Sequence, residues 1–266
     1  MADSVYISTN LTKEQFLFLQ LLNENEIEFF TITEIEKQLN NKFNNINEVL
    51  ENLVQKKFLY RLQKGYYAVK GFNNQNVIGT FISKNSAVAY WSALNIHGLT
   101  EQFPNTVFIQ SMYRKKDKTI LGTKYKFVKI PEHKRAGINT LGYGNNSFPI
   151  TDVEKTIVDC FDLQKYSGGF DVLVGAFAQA KMQSNKLIEY TEKINNIALI
   201  KRIGFLSELF NKPGLKRFIK YAQSKVNDKF NLIDSGGIET GEFIRQWRLR
   251  LNVSKNELLK IARIVF

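Results

Sequence analysis

Residues 45–70 read NINEVLENLVQKKFLYRLQKGYYAVK, and the hydrophobic period changes within them. In the first half Ile46, Val49, Leu50, Leu53 and Val54 fall at i, i+3, i+4, i+7 and i+8, the stripe of an amphipathic helix. Asn45 with Glu48 supplies its N-cap. In the second half the period is two: Phe58, Tyr60 and Leu62 lie on one side, Leu59, Arg61 and Gln63 on the other. A Lys64-Gly65 turn follows, and Tyr67 and Val69 return on one side, which makes a β-hairpin.

Two further helices precede this pair. Thr12 with Gln15 is a capping box that starts a helix through about Leu22. Its Phe16, Leu17, Phe18, Leu19, Leu21 and Leu22 are too much apolar surface for one stripe, so cover on two sides is expected, the second from the rest of the chain. Thr33 with Glu36 repeats the capping pattern, and Ile32, Ile35 and Leu39 supply the stripe of the second helix. Three helices and a hairpin in this order predict a winged helix-turn-helix, whose third helix enters the major groove while the hairpin lies along the backbone or minor groove. The outward side of the third helix carries Asn44, Asn47, Glu48, Glu51 and Gln55 as base readers. Asn and Gln pair bidentately with adenine, and Glu accepts from the cytosine amino group. Glu48 and Glu51 also repel phosphate, and winged helices serve as protein-docking modules too. Backbone attraction therefore falls to Lys42, Lys56, Lys57, Arg61, Lys64 and Lys70, helped by Arg114, Lys115 and Lys116 further along.

Charge supports that division of labour. The 266 residues carry a net charge of +12, which points to a polyanionic partner, nucleic acid first. Residues 1–72 hold eight basic residues against nine acidic, so the remaining chain holds a net +13. It is concentrated in residues 112–135, 201–229 and 244–266. The polar run at residues 73–76 marks the boundary between a first domain, 1–72, and a second, 77–266. The fold class expected is α+β, with the winged helix followed by a larger mixed α/β domain. In that domain the pattern predicts a helix over residues 83–97 ended by Gly98, and strands over 106–111, 119–121, 125–129 and about 138–143. A helix opened by Thr151 and Asp152 follows, broken at Gly168-Gly169. Helices come next over 170–182, 184–194, 198–210 and 215–224, and residues 243–251 form an extended segment.

Other functional classes find little support. One Cys (Cys160) excludes a disulfide framework or multi-cysteine zinc site, and His97 and His133 stand too far apart for a multi-His metal site. No glycine-rich phosphate loop, G-x-S-x-G or H-E-x-x-H occurs, so no cofactor and no enzymatic activity are expected. Asp152, Glu154, Lys155, Asp159 and Asp162 suggest a metal-dependent nuclease, but on one helix the acids point different ways. His97 reads as a helix C-cap, Cys160 as a core residue, and Trp91 and Trp247 as packing anchors. No apolar run is long enough for a membrane span, and MADSVYIST lacks a signal-peptide pattern, which fits a cytoplasmic protein.

Several segments together resemble the AbiEi family: SAVAYWSALNIHGLTEQFPNTVFI, FPITDVEKTIVDCFDLQKYSGG, IKRIGFLSELF and EFIRQWRLRLN behind the winged helix, spanning about residues 10 to 252. The most specific elements are His97 to Gln102 with Pro104, and Thr151, Asp152, Glu154, Thr156, Asp159, Gly168 and Gly169. That family comprises transcriptional regulators and antitoxins of type IV, abortive-infection (phage defence) toxin–antitoxin systems. The resemblance implies an N-terminal winged helix that binds repeats in double-stranded DNA of its own promoter. It also implies a C-terminal antitoxin domain that counters a co-encoded nucleotidyltransferase-like toxin without a stable complex. No catalytic residues carry over. The nearly neutral third helix departs from a strongly cationic reader. A second expectation is direct docking of the basic second domain on an acidic toxin.

Overall fold

A computed structural model describes residues 10–39 and 42–264; the opening MADSVYIST segment lies outside them. The chain is a mixed α+β fold with eleven α-helices and three sheets among the described residues. Helix α1 (Lys13–Glu24) is opened by the expected reciprocal bonds between Thr12 and Gln15. The next cap lies two residues earlier than the pattern suggests. Thr31 and Glu34 form it, because residues 29–31 are already extended as β1 (Phe29–Thr31) and turn directly into α2 (Ile32–Gln38). Helix α3 (Ile46–Gln55) starts at Asn45, whose side chain accepts from the Glu48 N–H. Strands β2 (Leu59–Gln63) and β3 (Tyr66–Val69) follow, joined through Gly65 at φ +78°, a value that glycine adopts without strain. The three strands are antiparallel in the order β1-β3-β2. Phe18, Phe30, Ile35, Phe43, Leu50, Leu53 and Tyr67 fill the space between helices and sheet. Phe18 meets Phe43 and Phe30 edge-on at 5.3 and 5.9 Å. The second cover expected for α1 is incomplete, and Phe16 stays 60% exposed.

Residues 73–76 are no free linker. Asn74 caps α4 (Gln75–Phe81), and its amide donates to Asn146 Oδ1 at 2.9 Å. The helix expected over 83–97 is instead β4 (Ser86–Val88) followed by α5 (Tyr90–Ile96). Asn85 (φ +51°) and Tyr90 (φ +55°) interrupt any continuous helix. Ala87, Val88 and Ala89 are so deeply buried that tertiary pairing overrides their spacing. β5 (Thr106–Ser111), β6 (Lys118–Ile120), β7 (Thr123–Lys129), β8 (Ile138–Leu141) and β9 (Phe148–Thr151) complete a six-stranded mixed sheet ordered β6-β7-β5-β4-β9-β8. Leu62 and Ala68 of the first sheet share an apolar cluster with Val77, Ile82, Ile109 and Tyr125. The hairpin is thus seated on the larger sheet through a common core.

The rest is largely helical: α6 (Val153–Asp162), α7 (Phe170–Gln179), α8 (Ser184–Ile194), α9 (Ile197–Leu209) and α10 (Lys216–Ser224). Gly168, at φ +87°, lies against the Trp91 ring, where a Cβ would come within 2.6 Å. The extended segment expected over 243–251 divides into β11 (Glu242–Ile244) and β12 (Leu249–Leu251), which pair with each other, and β12 also pairs with β10 (Asn231–Leu232). Helix α11 (Lys255–Ile264), absent from the pattern reading, ends the described chain against α7. Among the described residues no helix is long and apolar enough to cross a membrane.

Candidate nucleic-acid interface

Of the five residues expected to read bases, Asn44, Asn47 and Gln55 are exposed and point no side-chain bond into the fold. The two acids are engaged. Glu48 Oε2 accepts from the Asn45 amide at 2.9 Å, closing the start of α3. Glu51 binds Arg61 of β2 at 2.9 Å. That pair balances the Glu51 charge with a cation on the hairpin, whereas Glu48 has only the neutral Asn45 amide. It also occupies Arg61, one of the expected phosphate contacts. Tyr67 lies beneath the pair with Arg61 6.0 Å from its ring centre. Burial pushes the Tyr67 hydroxyl up, with Arg61 pulling it down and Glu51 raising it. Nothing in residue spacing singled out Tyr67; it read as one more hairpin apolar.

Two further expected cations serve the fold. Lys56 Nζ donates to Asn10 O at 2.6 Å and Gln15 Oε1 at 2.8 Å, tying the end of α3 to the start of α1. Lys115 Nζ donates to Gln63 Oε1 at 2.8 Å and Ile82 O at 2.7 Å, with Phe127 beneath it at 5.3 Å. Burial, then the neighbouring Lys118, lowers the Lys115 pKa. Lys118 Nζ donates to Leu62 O at 2.9 Å. Lys42, Lys57, Lys64, Lys70, Arg114 and Lys116 remain exposed.

These six do not form one cluster. Lys64 occupies the hairpin tip, and the Lys115 and Lys118 bonds hold the loop carrying Arg114 and Lys116 against Leu62 and Gln63, beside that tip. Lys57 and Lys70 sit at the hairpin's other end, where the Lys70 N–H donates to Phe58 O. Five strand residues separate the ends by roughly 17 Å. The loop opens onto a shallow basic concavity that also includes Lys126 and Lys129. Lys126 is balanced there by Asp117 at 2.6 Å. Gln63, a half-buried polar residue at the end of β2, is the hairpin's share of this junction.

The other basic stretches are partly internal. Lys201 Nζ donates to Asn227 Oδ1 and Lys229 O, and Arg202 Nε to Leu232 O. Lys212 Nζ donates to Ala178 O and Ala180 O, both at 2.7 Å. Exposed cations from residues 201–229 are those of α10 and beyond: Lys216, Arg217, Lys220, Lys225 and Lys229.

Asp152, Glu154 and Asp159 of the nuclease reading hold bonds within the fold. Asp152 caps α6 and accepts from Tyr190 Oη at 2.8 Å and Lys186 at 3.0 Å. Glu154 accepts from the Gln183 N–H at 3.0 Å. Asp159 pairs with Lys155 inside the protein. Among the described residues no group of three His, Cys, Asp or Glu is placed to hold a metal ion. His97 caps α5, and its Nε2 meets Thr151 O at 2.7 Å. Cys160 is buried, and burial pushes its thiol up. Trp247 Nε1 donates to Glu208 at 2.6 Å from within the core.

No protein-family model and no curated protein matches the chain. Among solved structures, the RV2827C protein from Mycobacterium tuberculosis is similar over 97% of both chains, with a TM-score of 0.68 at 13% identity. At that identity the likeness extends to the fold.

Proposed function

We propose that this chain is a DNA-binding transcriptional autorepressor and an antitoxin of the AbiEi type, acting in the cytoplasm against a nucleotidyltransferase-like toxin. In this reading the first seventy residues are a winged helix-turn-helix, with α3 the reading helix and the β2–β3 hairpin the wing. The order α1-β1-α2-α3-β2-β3, with β3 central in its sheet, supports that assignment. The observation that carries the DNA reading is the junction at β2. Lys115 and Lys118 fasten the basic loop of the second domain beside the wing tip, so cations that α3 lacks are supplied along the wing. Asn44, Asn47 and Gln55 then read bases, and the six exposed cations Lys42, Lys57, Lys64, Lys70, Arg114 and Lys116 grip phosphates.

The test is a titration of the chain with its own promoter and with a scrambled duplex at several salt concentrations. If about six phosphates are neutralised, affinity falls by roughly a thousand-fold between about 50 and about 200 mM salt. A flat salt response, or equal affinity for both duplexes, overturns the reading. A second reading, direct docking on an acidic toxin, is favoured by the exposed Lys216, Arg217 and Lys220 of α10, which lie on the second domain. Co-purification with the neighbouring gene product at moderate salt, lost on reversing those three charges, distinguishes it.

A further inference from the structure

Strand β8 closes one side of the six-stranded sheet, and its outer side is bare. The Asp152 N–H donates to Gly137 O at 2.7 Å, which sets the phase of the β8–β9 ladder. In that phase Asn139 and Leu141 direct their main-chain groups at Ile150 and Phe148, while Ile138 and Thr140 turn theirs outward. Pro149, opposite Thr140, agrees with this, because it has no N–H to give to β8. Among the described residues no other element hydrogen-bonds to the outer side. The opposite edge, β6, carries a guarding lysine, Lys118, whose Nζ donates to Leu62 O of the hairpin.

Open edges are usually guarded by Lys, Pro, a bulge or a covering loop. β8 carries none of these. No charged residue occurs between Arg135 and Asp152 in a chain of net charge +12. Asn139, Thr140 and Leu141 are exposed, and Tyr143 just beyond them is 93% exposed.

We propose that β8 is the site of strand addition by a second copy of this chain, antiparallel across a twofold axis. With the axis at Asn139, Ile138 of each copy exchanges main-chain bonds with Thr140 of the other, and the two Asn139 side chains face each other. Residues 141–143 of one copy then lie over residues 135–137 of the other, which covers Leu141 and Tyr143. The contact is self-complementary and closed, as a twofold interface must be. Charge makes this the place where two copies can meet. They carry +12 each and repel elsewhere, whereas no charged residue lies between Arg135 and Asp152, and in this register each Arg135 faces Tyr143 of the other copy.

Sedimentation equilibrium on the full chain tests the proposal, from about 5 to about 500 µM, the range suited to a weak interface. The weight-average mass should climb from 30.7 kDa toward twice that value. Thr140→Pro removes an outward N–H and no internal one, and Leu141→Lys sets new cations in the contact. Both should stay monomeric at every concentration, with circular dichroism and melting unchanged. Asn139→Cys should form a covalent dimer on mild oxidation, because facing residues of such a pair bring their Cβ atoms to about 5 Å. Cys160 is buried and cannot substitute. A monomeric mass throughout overturns the proposal and leaves the edge to a foreign strand. Self-association that survives both substitutions overturns it too, by placing the contact elsewhere.

Discussion

Replacing Lys115 by Met asks whether the basic loop after β5 is anchored to the hairpin or free to grip phosphate. Met keeps an unbranched apolar side chain and deletes the ammonium over Phe127 with its bonds to Gln63 Oε1 and Ile82 O. Ile82 O retains the Gln63 amide at 3.3 Å, so Gln63 Oε1 is the acceptor left without a donor. Bonds from a charged donor contribute roughly 1.5–3 kcal/mol each, and the depressed Lys115 pKa shows that holding the ammonium there has a cost. The net loss expected is about 2 kcal/mol, or about 4–8 °C in Tm for a chain of this length. Differential scanning calorimetry reads that term, and fluorescence anisotropy on the promoter duplex reads the salt slope. Lys116→Met should behave oppositely, with Tm unchanged and the slope shallower by about 0.9, the share of one phosphate contact. If Lys115→Met leaves Tm alone and flattens the slope by that amount, Lys115 is a phosphate ligand and the anchoring argument fails.

Three further outcomes follow from the packing. Lys155→Met strands the buried Asp159 carboxylate and should cost about 3–5 kcal/mol in urea unfolding, while Lys155→Met with Asp159→Leu regains most of it. A double variant no better than the single one contradicts this. Gly168→Ala forces a left-handed backbone and drives a Cβ into Trp91, for a loss of about 3 kcal/mol. Gly65→Ala, at the open hairpin tip with no atom within 4 Å, should lose only about 1 kcal/mol; equal losses would refute the steric account. Burial, then Arg202, Lys229 and Arg248, lowers the Lys201 pKa from 10.5 to about 8. The unfolded chain therefore holds this proton more tightly. The group opposes folding fully below pH 8, and stability gains from it as pH rises from about 8 to about 10.5. Lys201→Met should flatten the pH–stability curve in that window, and an unchanged slope counts against the assignment.

Local signals were legible wherever a segment's neighbours in sequence decided its conformation. The Thr12–Gln15 box, the Asn45 cap, the α3 stripe and the Lys64-Gly65 turn all act within a few residues, and each stands where the spacing puts it. So do α8 and β5. The helix expected over 83–97 failed because Ala, Val and Ser suit either state, and burial between β5 and β9 drew residues 86–88 into the sheet. Charge was the least transferable signal. Lys56, Lys115, Lys201 and Lys212 count as surface cations in any tally, yet each donates to oxygens inside the fold.

Composition and periodicity alone established a mixed α+β chain with a helical N-terminal unit, a hairpin after its third helix, and an excess of cations beyond residue 72. Only the tertiary structure decided which of those cations are free, that Arg61 is paired with Glu51, and that the loop at 114–118 is fastened to β2. The reason is range. Caps, stripes and turns act over three or four residues, whereas the bond from Lys115 to Gln63 spans 52 positions and exists only once both sheets have packed on a common core.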